Sequence, residues 1–288
     1  MSYLTELRAK SKQSIEVLSK QIDDSKKTSY GDDRLWKLTV DKLGNGEAVL
    51  RFLPPFAGES VSWVEKWSHG FEGTSGKWFM EGCPTTIKGE CPICNSNRHI
   101  WKTNVEEVAR KKTERTKRNH KYYSNVLVVD DPSNPDNNGK VFLFEYGPKI
   151  FAKIFEAIQP ISVREKPSNP FDPDNGRNFI LLAKSVSGQR NYDSSKFESP
   201  SAISDDDAKV DEILASTYSL DALIAPESFK SFKELTEIYD RVNGTTTVSY
   251  ETELEEEESE EDYTPSAPSK KKKEVEVNLN LDDLDLPF

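Results

Sequence analysis

Cysteine and histidine are scarce in this sequence, with three of each among 288 residues, and methionine is scarcer still with two. An odd number of cysteines argues against a disulfide framework, so a reducing, intracellular compartment is the default expectation. No hydrophobic span approaches the ~20 residues that a membrane helix needs. The first residues, Met1-Ser-Tyr-Leu-Thr-Glu-Leu-Arg8, have no signal-peptide core. No membrane partner is therefore expected. No internal repeat is evident.

Positive charge is also in deficit: 39 Lys and Arg stand against 50 Asp and Glu, a net charge of −11. Such a balance ordinarily argues against a nucleic-acid partner. Its distribution removes that objection. From Glu251 onward there are fourteen acidic residues against four lysines, Lys270 to Lys273, so the tail carries −10 and residues 1–250 are near −1.

The run Glu253-Leu-Glu-Glu-Glu-Glu-Ser-Glu-Glu-Asp262 cannot bury enough apolar surface to offset the entropy of ordering, and residues 251–280 read as a disordered linker. Beyond it acids alternate with leucines in Leu281, Asp282, Asp283, Leu284, Asp285, Leu286 and end on Phe288 beside the terminal carboxylate. That composition suits a short protein-recognition peptide. A tethered polyanion of this kind is also expected to compete for any basic groove on the same chain.

At the other end, Leu4, Leu7, Ile15, Val17, Leu18 and Ile22 recur at helical spacing among Arg8, Lys10, Lys12 and Lys20, which describes a basic amphipathic arm over residues 1–22. Between arm and tail, strand patterns dominate. Trp36-Lys-Leu-Thr-Val40, a Gly44-Asn45-Gly46 turn and Ala48 to Leu53 predict a hairpin, because Asn and Gly tolerate the positive φ such turns require. Further strands are predicted over Val61–Trp67, Lys77–Met80, Tyr122–Asp130, Val141–Tyr146 and Phe179–Val186, with helices over Pro148–Ala157 and Pro226–Val242. Short strands with Gly/Pro/Asn turns and few helices point to a mixed α/β, mainly β chain built on a small barrel with insertions.

All three cysteines lie together. Cys91-Pro-Ile-Cys94 places two thiolates on one tight turn, a spacing that meets a single tetrahedral metal, and Cys83 stands eight residues earlier. His69 or His99 could supply a fourth ligand. His99 continues the pattern of a nucleic-acid zinc knuckle, but Asn104 stands where that pattern needs a further cysteine. A hairpin from Trp67-Ser-His-Gly-Phe71 to Lys77-Trp-Phe-Met80 returns His69 to Cys83 and favours it. A closed Cys₃His site holds structure together and leaves no position for water, so catalysis is not expected there. The signature of a zinc deaminase, H-x-E followed by P-C-x-x-C, is absent: Gly70-Phe71 follow His69, and Glu90 precedes Cys91.

The next stretch is strongly basic. Arg98, Lys102, Arg110, Lys111, Lys112, Arg115, Lys117, Arg118 and Lys121 face only three acids, and Tyr122-Tyr123 follow directly. Clustered cations neutralise phosphates, and exposed aromatics offer faces to unpaired bases, so together they point to single strands. On the strand Val141–Tyr146, Phe142, Phe144 and Tyr146 share one face, as core stripe or stacking platform. Phe142 and Phe144 suit a core; the hydroxyl of Tyr146 prefers access to water. Tyr192 lies in a polar loop beside Arg190 with no obvious core role. A zinc-stabilised adaptor whose basic face takes an acidic protein is the competing class.

The arrangement resembles the single-stranded DNA-binding, helix-destabilising proteins of T-even bacteriophages. The resemblance rests on Gly44-Asn-Gly-Glu-Ala-Val-Leu-Arg-Phe-Leu-Pro54, His69-Gly-Phe71, Lys77-Trp78, Cys83 with Cys91-Pro-Ile-Cys94, Asn125-Val-Leu-Val-Val-Asp-Asp-Pro132, Gly139-Lys-Val-Phe142, Val186-Ser-Gly188, Asn191-Tyr-Asp-Ser-Ser-Lys-Phe197 and Phe229-Lys-Ser-Phe-Lys-Glu-Leu235. It implies an OB barrel over residues 23–250 with a structural Zn²⁺ subdomain at about 61–125, and it selects His69, Cys83, Cys91 and Cys94 as ligands. It implies a DNA groove lined by Tyr122, Tyr123, Phe144 and Tyr192, self-association along the strand through the arm, and a role in phage replication, recombination and repair in the cytoplasm of the infected host. The tail over 251–288 is implied to contact other replication proteins. The family's short basic motif appears near the N-terminus only as Arg8-Ala-Lys-Ser-Lys-Gln-Ser14, and its copy in the core fits Arg110-Lys-Lys-Thr113 or Thr116-Lys-Arg118. Gln189 stands where an aromatic is expected.

Overall fold

The computed structural model of the chain describes residues 32–244. The arm over 1–22, with Arg8, Lys10 and Lys12, and the tail over 251–288, with Leu281 to Phe288, lie outside them. The described residues form a mixed α/β structure of nine strands and six α-helices. The strands are β1 (Leu35–Trp36), β2 (Gly46–Phe52), β3 (Val64–Glu72), β4 (Trp78–Gly82), β5 (Asn119–Asp130), β6 (Val141–Tyr146), β7 (Arg177–Val186), β8 (Gln189–Asn191) and β9 (Lys196–Pro200). The helices are α1 (Pro92–Thr103), α2 (Glu106–Thr113), α3 (Pro148–Ile158), α4 (Asp207–Ala215), α5 (Asp221–Ile224) and α6 (Phe232–Asn243). None of them is long and apolar enough to cross a membrane.

One sheet takes all nine strands, along the path β1-β6-β5-β2-β7-β8, with β3 on β5, β4 on β3 and β9 on β7. Every pairing is antiparallel except β1 with β6. The path is open at β1 and β8, so these hydrogen bonds do not describe a closed barrel. β5 organises the sheet: its first half pairs with β3, its second half with β2, and β6 runs along its other edge. Since β2 and β5 are neighbours, the chain between them is an insertion that extends the sheet by β3 and β4 and adds α1 and α2 beside it.

Burial follows from this order. β2 is flanked by β5 and β7, and Leu50, Arg51 and Phe52 are all buried. Five rings surround Phe52: Phe171, Tyr146, Phe179, Phe197 and Phe144, at centroid distances from 5.6 to 6.4 Å. Aromatic pairs at such separations each add about 0.5–1.5 kcal/mol beyond area burial. The neighbouring Arg51 turns away and donates to the carbonyls of Asp172 and Ser201, both at 2.8 Å. Gly176 leaves room for it, because a Cβ there would lie 2.6 Å from the guanidinium and 2.3 Å from the Asp172 carbonyl.

Two expectations change. The residues around Gly44 do turn, with Asp41 accepting the N–H groups of Leu43 and Asn45 and Gly44 at φ +83°. They do not close a hairpin, because Leu35–Trp36 pairs in parallel with β6 while β2 takes β5 and β7 as partners. The last helix starts at Phe232 rather than Pro226, where Ser231 and Glu234 form a reciprocal capping box.

Candidate metal centre and nucleic-acid cleft

The candidate metal centre is assembled from three pieces of chain. His69 comes from β3, Cys83 follows the last residue of β4, and Cys91 and Cys94 occupy the N-cap and first turn of α1, where i and i+3 share a face. The β3–β4 pairing sets His69 against Glu81 and so beside Cys83, as the expected hairpin requires. The four donor atoms lie within 4.8 Å of one another. Cys83 Sγ is 3.5 Å from Cys94 Sγ, and His69 Nε2 is 3.5 and 3.4 Å from the sulfurs of Cys91 and Cys94. A tetrahedral Zn–S site has S–S edges of about 3.8 Å, so the cluster needs only a slight expansion to hold one metal ion. His99 is exposed on α1 and is not in the cluster.

The imidazole is already oriented for the task. Thr116 O accepts at 2.9 Å from Nδ1, which puts the proton on that nitrogen and leaves the Nε2 lone pair for a metal. Without an ion, burial disfavours a charged His69, but the sulfurs of Cys83 and Cys91 outweigh that and push the imidazole up to about 9, so a metal would displace the Nε2 proton as it binds. Hydrogen bonds to Cys91 and Cys94 hold the Cys83 thiol far below its ordinary range, while bonds to Cys83 and Cys91 push Cys94 far above. Three thiols at this spacing cannot all ionise without a compensating cation, and that is what a metal supplies.

The ligands are wired to the basic segment. Thr116 O, bonded to His69, also accepts from Asn97 Nδ2 at 3.1 Å, and Lys117-Arg118 follow immediately. Cys83 N donates to Trp67 O at 2.8 Å, and Trp67 N donates to Thr86 Oγ1 at 2.9 Å. A small apolar cluster of Phe71, Phe79, Ile93 and the α6 residues Leu235 and Val242 packs around Cys83 and Cys91.

A cleft of about 560 Å³ opens beside β6, lined by Trp36, Lys37, Lys121, Phe144, Tyr146, Lys149, Arg190 and Tyr192 among others. It brings together Lys121, Phe144, Tyr146 and Tyr192 from the sequence-predicted set. Arg110, Lys111, Lys112, Arg115, Lys117 and Arg118 do not line it. Arg110 and Lys111 lie on the exposed α2 and pair with Glu106 and Glu107 at 2.8 and 2.9 Å, the behaviour of a solvated helix face. Lys112 donates to Asn104 Oδ1 at 3.0 Å.

The tyrosines differ from expectation. Adjacent strand residues point to opposite faces, so Tyr122 and Tyr123 turn to opposite sides of the sheet, and neither lines the cleft. Tyr122, 6% exposed, lies flat against Phe151 of α3 at 3.9 Å, and burial, then Glu65, pushes its phenol up to about 12. Tyr123 faces the other way and donates to Glu145 at 2.6 Å; burial and this bond raise its pKa strongly. The hydroxyl of Tyr146 is not turned to water: it meets Ser124 Oγ at 2.9 Å, and the ring is only 2% exposed. Phe144 at 4% and Tyr146 therefore floor the cleft by their edges, while Tyr192 stands half-exposed on its wall. Trp36, Lys37 and Lys149 are cleft residues that strand and charge patterns do not pick out. Their signal is adjacency, since Lys37 follows the buried Trp36 and Lys149 follows Pro148, the first residue of α3, just after β6 ends.

Compared with known proteins, residues 44–243 match the profile of the family described as gp32 DNA binding protein like. The chain is 37% identical over 233 residues to the single-stranded DNA-binding protein of Enterobacteria phage T4, covering 79% of this chain and 76% of that protein. It is 38% identical over 225 residues to the single-stranded DNA-binding protein of Enterobacteria phage T2, covering 76% and 73%. A shorter stretch of 83 residues, 27% of this chain, is 39% identical to the single-stranded DNA-binding protein of Escherichia phage SV14.

Proposed function

The chain belongs to the family of gp32-like DNA-binding proteins, and from that premise we propose that it is a single-stranded DNA-binding protein, not an enzyme, which coats strands with little sequence preference during phage DNA replication, recombination and repair. The observation that carries this reading is the cleft, where four cations, Lys37, Lys121, Lys149 and Arg190, surround an aromatic floor and the half-exposed Tyr192. Lys121 and Lys149 are held by Glu145 and Asp193 at 3.3 and 3.6 Å, exposed pairs worth at most about 1 kcal/mol. Phosphates readily replace such partners, and Tyr192 offers a face to a base.

The ion in this reading is Zn²⁺, and it supplies cross-linking of β3, β4 and α1 rather than reactivity. His69 then fixes the Thr116 carbonyl, and with it the approach to Arg118 and Lys121. An OB-type barrel is part of the proposal, supported by the way β5 turns from β2 to β3 along its length. Cooperative self-association through residues 1–22 and partner contacts through the acidic peptide at Leu281 to Phe288 complete it.

A fluorescence titration with oligothymidine and with duplex of equal length, at several salt concentrations, tests the reading. The expected result is quenching, a strong preference for the single strand, and a log–log salt slope of roughly −0.7 per neutralised phosphate, near −3 if all four cleft cations engage. Weak, unquenched binding that ignores strandedness would reject it in favour of a basic adaptor.

A further inference from the structure

The rings of the cleft floor are one end of a longer row. Along a single face of the sheet Trp67, His120, Tyr122, Tyr146, Phe144 and Trp36 follow one another across β3, β5, β6 and β1, with centroid separations of 3.9, 4.6, 5.8, 5.3 and 5.6 Å. Strand register produces the row: Trp67 pairs with His120, Tyr122 with Tyr146 and Trp36 with Phe144. Cross-strand partners share a face. Phe151 covers the middle, at Tyr122.

At the Trp67 end the cover is different. Arg118 places its guanidinium carbon 4.3 Å from the indole centroid, and the His120 ring stacks on the same indole at 3.9 Å and 14°. Two groups this close to one ring centre cannot share a face, so Arg118 and His120 sandwich Trp67. The inner layer is anchored, since His120 Nε2 lies 3.1 Å from Glu65 Oε2. The outer layer is an exposed arginine that donates to the neutral hydroxyl of Thr85 at 3.0 Å. The indole itself is pinned through its backbone to Cys83 and Thr86 of the metal module.

The geometry points to a second base-stacking subsite on Trp67, from which Arg118 swings away to a phosphate as a nucleobase takes its place. This rests on the single-stranded DNA reading and extends it: a strand seated in the cleft continues past Lys121 to the metal module. A base on an indole is a stronger contact than an exposed cation–π pair, and the displaced guanidinium keeps its value by neutralising the strand it admits. Arg118 is thus a cover in the free protein and a phosphate ligand in the complex.

The test uses the intact, metal-loaded chain and oligothymidines of increasing length. Trp67→Ala is expected to lose about tenfold in affinity for strands long enough to leave the cleft and to bind the shortest strands as the unmutated protein does. Trp67→Phe should recover most of the loss, and the salt slope should not change in either variant. Equal affinity of Trp67→Ala and unmutated protein at every length would overturn the subsite. Photo-crosslinking of the unmutated protein to a bromodeoxyuridine-substituted strand guards against a folding artefact. An adduct on the tryptic peptide that begins at Trp67 is expected, and adducts confined to the peptides of the cleft would overturn the proposal. Failure of the unmutated protein to bind oligothymidine would instead remove the binding reading itself, and the subsite with it.

Discussion

The sheet and the metal module are filled differently. Around Phe52 the sheet buries fourteen apolar residues in one cluster, six of them aromatic apart from Phe52 itself, and this burial alone accounts for a folded unit. The module's cluster has seven buried members, two of which are the ligands Cys83 and Cys91, and two more are borrowed from α6. A core that small needs a cross-link. The difference teaches where an ion would matter: little to β2, β5, β6 and β7, and most to the chain that places Trp67 and Arg118 beside them.

The largest expected effect breaks the module alone. Removing the ion, or Cys91→Ser, should release more than about 5 kcal/mol of local stability, read as fast hydrogen exchange over β3, β4 and α1 while β2 and β7 stay protected. Loss of protection in both regions together would show that they are one cooperative unit. The converse change, Phe52→Ala, should cost about 3–5 kcal/mol in urea unfolding with metal content unchanged; release of the ion in the folded variant would contradict the division.

A smaller effect concerns pH. Tyr122 ionises in the folded protein only near pH 12, because burial disfavours its phenolate. A pKa raised above the ordinary value of about 10 makes a contribution that is full below that pH and lost as pH rises towards 12. The last phenolate absorbance to develop in an alkaline titration should therefore lag behind free tyrosine and appear together with unfolding of the sheet. Completion of the titration near pH 10, with no later phase and the sheet intact, would count against the packed Tyr122–Phe151 pair. The smallest effect is at the seam: Lys230, just before α6, meets Glu81 of β4 at 2.6 Å, and Lys230→Ala should cost less than about 1 kcal/mol because the pair is partly exposed.

How much was legible in the sequence also divides along this line. Spacing alone places Cys91 and Cys94 on one turn, two short strand patterns favour His69 over His99, and the resemblance to the phage family selects it; the structure brings that His69, Cys83, Cys91 and Cys94 set together. β6 and α3 are recognisable because Val141–Phe144 is an unbroken apolar run and Pro148 opens the helix. What could not be read is non-local. The choice of β6 as partner for Leu35–Trp36 depends on residues more than a hundred positions away. The cover of Tyr122 by Phe151 spans less chain, but it exists only after β5 and β6 have paired and α3 has folded back on them. Charge counting found the basic run but not its geometry, since i,i+4 acids on α2 occupy Arg110 and Lys111. Tyr146 misled because its hydroxyl finds Ser124 inside the sheet instead of water.

The most direct test of the account is a parallel titration of metal-loaded and metal-stripped protein with oligothymidine and duplex. Quenching and a strong single-strand preference are expected in the loaded protein. Stripping is expected to weaken binding to long strands far more than to strands short enough for the cleft. Unchanged affinity after loss of the ion at every length would contradict the claim that the module sets one end of the DNA path.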